Sequence, residues 1–176
     1  MVLPGNYTVK LTVDGHSYSE PLSVKLDPRV KAVPGALEKQ LDLAMQIGKA
    51  MDATALGYQS LGRLHQELRV LEHQLTGKAA RQSLLSAITG LDKKVVQLRS
   101  KAGPHQNLAT INGELTSLAM QVNDGDRAPP ASYYQAFRLY AHYAGVALAE
   151  WQRLQANELP ALNGQLMRQG LTPIKL

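Results

Sequence analysis

Apolar residues recur with two different periods along this chain, and the change between them divides it into two unlike parts. From Tyr7 onward they occupy alternate positions, which is the pattern of β-strands with one buried face. From Leu37 onward they recur every three or four residues, as in amphipathic α-helices. The turn-forming pair Pro34-Gly35 lies where the period changes. The sequence therefore predicts a β part, residues 1–30, followed by a helical part, residues 34–176.

The β part has the pattern of a single β-hairpin. Asp14-Gly15 favours a two-residue turn of type I′, in which both central residues have positive φ. With that turn, Leu11 pairs with Tyr18 and Tyr7 pairs with Leu22, so the apolar residues of both strands share one face. Because a two-stranded hairpin is marginally stable alone, this face should be covered. We expect the cover to be the start of the first helix, or a second copy of the chain in a homodimer formed through the hairpin.

The helical part contains four amphipathic segments joined by short connections. The first begins at Leu37 and runs to a C-terminal cap at Gly77, which is long for a globular helix. Gly57 and Gly62 would either kink this helix or let a neighbouring helix approach closely. The other apolar runs are Leu84 to Ala102, Leu108 to Val122, Tyr133 to Trp151 with Ser132 as N-cap, and a short terminal helix near Leu162 to Met167. This pattern predicts a mainly α fold, an antiparallel four-helix bundle with an N-terminal β-hairpin.

The sequence lacks the known patterns of catalytic and metal-binding sites. It contains no cysteine, which removes disulfides and thiolate sites. The histidines lack the His-Glu-x-x-His or Glu-x-x-His spacing that helical metal sites use. Glycine-rich phosphate loops and the Gly-x-Ser-x-Gly motif are also absent. We therefore expect no catalytic residue, no cofactor and no metal, and no enzymatic activity; an enzyme with a site between helices is kept as an alternative.

Charge and hydropathy limit the classes of partner. The net charge is +5, and residues 78–101 carry six basic side chains against Asp92 alone. Around a helix these basic side chains point in many directions and lack aromatic neighbours, which favours a solvated face over a nucleic-acid interface. Lys93, Lys94 and Lys101 remain candidates for contact with an acidic partner. No apolar run approaches the roughly 18 residues of a membrane span.

The fourth helical segment carries most of the aromatic residues. Those that share one side of the helix are Tyr133, Phe137, Tyr140 and Trp151. They fall within about 60° of one another, which is the width of a buried stripe. They could form a platform for a sugar or another ligand, but burial in the core is the preferred interpretation. Tyr134 and Tyr143 lie off this stripe and are predicted to be exposed contact residues.

The β part and several helical stretches resemble the C-terminal region of a family of bacterial exported proteins. The hairpin match consists of PGNYTVKLTVDG at residues 4–15 and LSVKLDPR at residues 22–29. The family carries sortilin-like β-propellers of BNR repeats, labelled glycosyl hydrolases or sialidase-like. In it, a Gly-x-Tyr-x-Val hairpin looks like the last strand pair of an immunoglobulin-like sandwich, and a helical tail follows Asp-Pro-Arg. Residues 108–118, 126–130 and 159–163 are similar to stretches of that tail.

The resemblance implies that residues 1–30 are the remnant of a sandwich, with the propeller and the other strands upstream in a parent protein. Any catalytic residues of the propeller would lie there, so none is carried over. The implied function is a non-catalytic C-terminal accessory or assembly module, located in the periplasm or outside the cell, with the upstream propeller and sandwich domains as partners. The alternative is a self-contained helical-bundle protein that docks an acidic partner through its basic second helix. Binding driven by charge should weaken steeply with ionic strength.

Overall fold

The chain is mainly helical with an N-terminal antiparallel hairpin, as the two periods predicted. The computed structural model describes residues 2–77, 81–101, 103 and 107–176. The strands are β1 (Gly5–Val13) and β2 (His16–Val24), and the helices are α1 (Ala36–Leu75), α2 (Gln82–Val96), α3 (Leu108–Val122), α4 (Ala131–Arg153) and α5 (Leu159–Arg168). A π-helical segment, Gln97–Lys101, extends α2, and a second, Leu154–Glu158, joins α4 to α5. The predictions made for Lys78, Ala102, Pro104 and His105 lie outside the described residues.

The hairpin has the predicted turn and register. Leu11 lies opposite Tyr18 and Tyr7 lies opposite Leu22. Asp14 and Gly15 have φ angles of 49° and 80°, as a type I′ turn requires. The alternating pattern and the turn therefore suffice to specify this element.

The expected packing of the hairpin on the first helix is not found. Both strands are exposed along their length, and only Val24, at the end of β2, is half-buried. The connection to α1 contains Pro28 and Pro34. A proline favours extended backbone at the residue before it, so this connection separates the hairpin from α1 and does not fold it back.

Helix α1 is the element on which α2 and α3 pack. Its 40 residues correspond to a length of about 60 Å. On the C-terminal half of α1, the Nδ1 atom of His65 lies 2.6 Å from the Oδ1 atom of Asp92 in α2. Near the start of α1, the buried Gln40 donates from Nε2 to the carbonyl of Val122, the last residue of α3, at 2.6 Å. Helices α2 and α3 thus follow one another along α1.

Gly57 allows three helices to meet. A Cβ atom at this position would lie 2.8 Å from Leu108 Cδ1 of α3 and 3.1 Å from Leu148 Cδ2 of α4. A Cβ atom at Gly62 would lie 3.4 Å from the Nε atom of Arg99. Of the two interpretations of these glycines, close approach of a neighbouring element is therefore the one observed.

The core consists of the apolar stripes that the helical spacing predicted. Its fully buried side chains include Leu43, Ile47, Leu61, Leu64, Leu68, Leu84, Ile88, Leu108, Ile111 and Leu115. Burial of one such side chain contributes about 1.5–3 kcal/mol to stability. The helices alone supply this core, because no hairpin residue belongs to it.

The antiparallel four-helix bundle is not confirmed by the helix contacts. Helix α1 contacts α2, α3 and α4, while α3 contacts α4 and α2 contacts α5. Because α2 and α3 lie against different halves of α1, these contacts do not describe four helices around one common core.

The boundaries of α4 and α5 differ from the prediction in two ways. Ser132 is not the N-cap, because α4 begins at Ala131 directly after Pro130. Because proline has no N–H, Glu158-Leu159-Pro160 predicts an interruption of the fourth helix. The helical path instead continues, with Glu158 at the end of the π-helical segment Leu154–Glu158 and Pro160 in the first turn of α5.

Candidate functional site

The hairpin presents an exposed apolar face, which we call the hairpin face. It consists of Tyr7, Val9, Leu11, Val13, Tyr18 and Leu22, which are 37–63% exposed. Among the described residues, the sheet contains β1 and β2 alone, so each strand has a free edge. Free edges and uncovered apolar faces are the features by which one chain adds strands to the sheet of another. The alternating pattern predicted this face and, as its cover, the start of the first helix or a second copy of the chain. The first helix does not cover it.

The three candidate lysines differ in their surroundings. Lys93 and Lys101 are exposed. Lys94 donates from Nζ to both carboxylate oxygens of Glu158, at 2.9 Å each. A further cation of this segment, Arg99, stacks on a tyrosine ring with its Cζ atom 4.1 Å from the ring centroid. Two of the basic side chains near the end of α2 are therefore engaged within the chain.

Lys94 belongs to an ion-pair network that joins α2 to the end of α4. Arg153 donates to Glu150 at 2.7 Å and to Glu158 at 2.9 Å. The hydrogen bond from Lys94, aided by the one from Arg153, holds the pKa of Glu158 below its ordinary value of 4.5. The hydrogen bond from Arg153 lowers the pKa of Glu150 in the same way. The network therefore links α2 to the end of α4 through partly exposed ion pairs.

The two candidate tyrosines are half-buried and pack against the core, which corrects the expectation that they are freely exposed. The Tyr134 hydroxyl lies 3.5 Å from the carbonyl oxygen of Lys39, to which it donates. The ring of Tyr143 lies 6.0 Å from that of His142. Nine helical positions separate the two tyrosines, which places them on opposite sides of α4. The structure does not bring them together, nor does it join them to the lysines of α2.

The aromatic stripe of α4 is buried only at its C-terminal end. Trp151 is 5% exposed. Tyr133, Phe137 and Tyr140 are half-buried and pack against the core with part of each ring. Core burial, the preferred interpretation, therefore holds fully for Trp151 and partly for the other three.

Tyr133 and Tyr140 line a groove between α3 and α4, which we call the α3–α4 groove. Its volume is about 600 Å³. The α3 side contributes polar groups, among them Glu114, Ser117 and Gln121. The helical spacing of Tyr133 and Tyr140 was a partial signal for this groove, because it places both rings on one side of α4. The polar residues of α3 carried no signal, since their approach to α4 depends on tertiary packing.

The histidines do not assemble into a metal site within the part of the chain that the structure describes. His65 pairs with Asp92, while His16, His73 and His142 are exposed. No group of three or more histidine, aspartate or glutamate side chains is close enough to hold an ion among the described residues.

Helix hydropathy and similarity to known proteins also bear on function. Within the described ranges, no helix combines the length and the hydropathy needed to cross a membrane. No protein-family profile, curated protein or solved structure matches the chain. The features of the chain from which a function can be inferred are the hairpin face, the lysines and tyrosines, and the α3–α4 groove.

Proposed function

We propose that this chain is a non-catalytic accessory or assembly module of a larger exported protein, in which the hairpin completes an immunoglobulin-like sandwich that precedes it. The observation that carries the proposal is the hairpin face. It stays exposed in a chain whose helices form a well-packed core of their own. A contiguous apolar face of this kind marks an interaction surface. The resemblance to the C-terminal region of sortilin-like propeller proteins supplies the proposed partners, the upstream sandwich and propeller domains.

The size of the hairpin face favours a wider sheet over a second copy as its partner. Strands of nine residues extend about 30 Å, and two strands make a face about 10 Å wide. Two stacked hairpins would therefore meet over a projected area of about 300 Å². This is a small contact beside the stable interfaces in which each partner buries about 800 Å² of accessible surface. A sheet that covers the face and also pairs with a strand edge buries more, so we propose the sandwich of the parent protein, with homodimerisation as the competing outcome.

In this proposal the helices act as one elongated body. The predicted antiparallel four-helix bundle enters it in modified form, with α2 and α3 following one another along α1, α4 packed on α1 and α3, and α5 packed on α2. The contacts of α1 with α2, α3 and α4 support this arrangement. Such a body extends about 60 Å, the length of α1.

The surroundings of the titrating groups support a non-catalytic role. Catalytic groups with perturbed pKa values usually lie in clefts. Here the lowered pKa values of Asp27, Glu150 and Glu158 have their cause in ion pairs with neighbouring arginine and lysine side chains, and structural ion pairs also lower pKa values in this way; Glu158 is half-buried and lines a small pocket with Lys94. The alternative of an acidic partner docked on α2 has weaker support, because Lys94 is already paired with Glu158. Binding of such a partner should fall steeply between low and high salt concentration.

The test begins with the parent gene. The reading frame that precedes residue 1 should encode the remaining sandwich strands, propeller repeats and a signal peptide. Those strands, expressed as a separate chain, should bind the present chain in a titration. The substitutions Leu11→Asp and Val24→Asp together should abolish binding, because they place charges on the apolar face.

The matched control places the same charges on the opposite face, with Thr8→Asp and Ser19→Asp. This control should bind as the unmodified chain does. Light scattering should show one copy per particle. A particle of two copies that Leu11→Asp with Val24→Asp dissociates would establish the homodimer instead, and a reading frame without sandwich strands would contradict the proposal.

A further inference from the structure

The α3–α4 groove has the size of a small-molecule site, and its opening is not required by packing. Its volume of about 600 Å³ lies within the range of roughly 300–1,000 Å³ typical of such sites. Gly113 of α3 lines it, and a Cβ atom at that position would meet nothing within 4 Å. Glycine inside a helix costs about 1 kcal/mol relative to alanine. Gly113 therefore leaves this stretch of the α3 wall without a side chain, and its open surroundings are shared by the helical glycines Gly48, Gly90 and Gly145.

The tyrosine rings that line the α4 side of the groove are held in place by the hydrophobic core. Tyr133 and Tyr140 pack against the core with part of each ring and line the groove with the rest. The two rings lie seven positions apart on α4, almost in line along the helix. Rings fixed in this way offer large, rigid apolar surfaces next to polar hydroxyl groups. Such surfaces suit a ligand that has one apolar side and a polar rim.

The polar side of the groove can both donate and accept hydrogen bonds. The amide of Gln121 and the tyrosine hydroxyls do both. The hydroxyl of Ser117 donates to the Gly113 carbonyl at 3.0 Å, which leaves its lone pairs available as acceptors. The lining contains no lysine or arginine, so an anionic ligand would find no cationic side chain among the lining residues, although the chain as a whole carries a net charge of +5.

We propose that the α3–α4 groove binds a neutral oligosaccharide. The pyranose ring has an apolar face that stacks on a tyrosine ring, and its hydroxyl groups need partners that donate and accept. From Thr110 to Gln121 the α3 wall extends about 16 Å, which is longer than one sugar ring and accommodates several. The inference does not depend on the role proposed for the hairpin, because the groove residues and the hairpin face share no member.

The test is a nuclear magnetic resonance titration of the full chain, labelled with ¹⁵N, against chitotetraose, maltotetraose and mannotetraose. At least one of these sugars should shift the amide signals of residues 110–121 and 132–140 in a saturable manner, with a Kd of about 1 mM or lower. An anionic tetrasaccharide of hyaluronan should bind at least about tenfold more weakly. Absence of saturable shifts with all three neutral sugars, or equal binding of the anionic sugar, would overturn the proposal.

Two matched substitutions locate the binding site. Gly113→Phe should fill the groove and weaken binding at least about tenfold, because it occupies the space between the helices. Gly145→Phe is the control: Gly145 is an exposed helical glycine of α4 with equally open surroundings, and it does not line the groove. The Gly145→Phe variant should bind the sugar with the affinity of the unmodified chain. Equal affinities of the two variants would place any sugar binding elsewhere and refute the assignment.

A third substitution tests the aromatic contribution without relying on steric block. Tyr140→Ala should weaken binding about tenfold, whereas Tyr140→Phe, which keeps the ring, should retain most of the affinity. The thermal midpoint of each variant shows that it is folded. If Tyr140→Ala binds as the unmodified chain does, stacking on this ring is not the basis of recognition. The Leu11→Asp with Val24→Asp chain should keep its sugar affinity, so this test and that of the hairpin fail independently.

Discussion

Gly48 and Gly57 lie nine residues apart on α1, yet only one of them has to be a glycine. A side chain at Gly48 would meet nothing within 4 Å. At Gly57 it would press on the leucine side chains of α3 and α4. The two positions share a helix and a residue type, so the difference between them comes entirely from the neighbouring helices.

We expect alanine to have opposite effects at these two positions. Gly48→Ala should raise the free energy of unfolding by about 0.5–1 kcal/mol, because alanine loses less backbone entropy in a helix. Gly57→Ala gains the same free energy from backbone entropy. Its added methyl group, however, forces Leu108 to move, which costs about 1–3 kcal/mol. Urea unfolding followed by circular dichroism should therefore find Gly57→Ala less stable than Gly48→Ala by at least about 1 kcal/mol. Equal stabilities would mean that the helices separate easily at this point.

Charged side chains form one of the links between α2 and the end of α4. Lys94, near the end of α2, reaches Glu158 in the π-helical segment, and Arg153 joins the same carboxylate. A π-helical segment adds a residue to the turn and so changes the direction of the side chains that follow it. We infer that the segment turns Glu158 toward α2.

Acidification should remove this link. The lowered pKa of Glu158 means that the folded chain binds fewer protons at this site than the unfolded chain. Its stabilising contribution is therefore present above the ordinary pKa of 4.5 and is lost as the pH falls through the lower pKa of the folded state. At pH 7 the substitution Glu158→Gln should lower the free energy of unfolding by about 0.2–1 kcal/mol, the usual range for an exposed pair.

The measurement compares urea unfolding of the unmodified chain and Glu158→Gln as a function of pH. The difference between them should vanish once the pH lies below the pKa of the folded carboxyl group. It should also shrink at about 1 M salt, because exposed ion pairs are screened. A difference that persists in acid would show that Glu158 acts through packing and not through its charge.

The whole molecule consists of a helical body that carries its own core and a hairpin that adds nothing to that core. All fully buried side chains among the described residues belong to the helices or the tail that follows them. The hairpin contributes only strand-to-strand pairing. The boundary that the sequence predicted, between residues 30 and 34, remains a prediction for the folding of separate parts.

A truncated chain that begins at Val33 should fold on its own. The thermal midpoint should lie within about 3 °C of that of the full chain, because the removed residues bury little apolar surface. Circular dichroism during heating should show one cooperative helical transition. A truncated chain that is unfolded or molten would show that the two parts share one core and that the boundary is misplaced.

The strands and helices of this protein, and the faces that they could bury, follow from the order of its residues. Alternation and Asp14-Gly15 specify the hairpin and its register, and the helical spacing specifies α1, α3 and the buried leucines. These features are local, because side chains close in sequence share a face through the period of the element alone. The π-helical segments escaped prediction, since they preserve the helical spacing of apolar residues on either side.

Which of those faces are covered depends on how the elements pack against one another in the folded chain. This packing left the hairpin face exposed, paired Lys94 with Glu158, and turned Tyr133 and Tyr140 partly into a groove instead of fully into the core. Each of these outcomes depends on the length and direction of connections between elements. The period of the apolar residues indicates which side chains point the same way. Contact between two faces also depends on whether the chain between them brings the faces together.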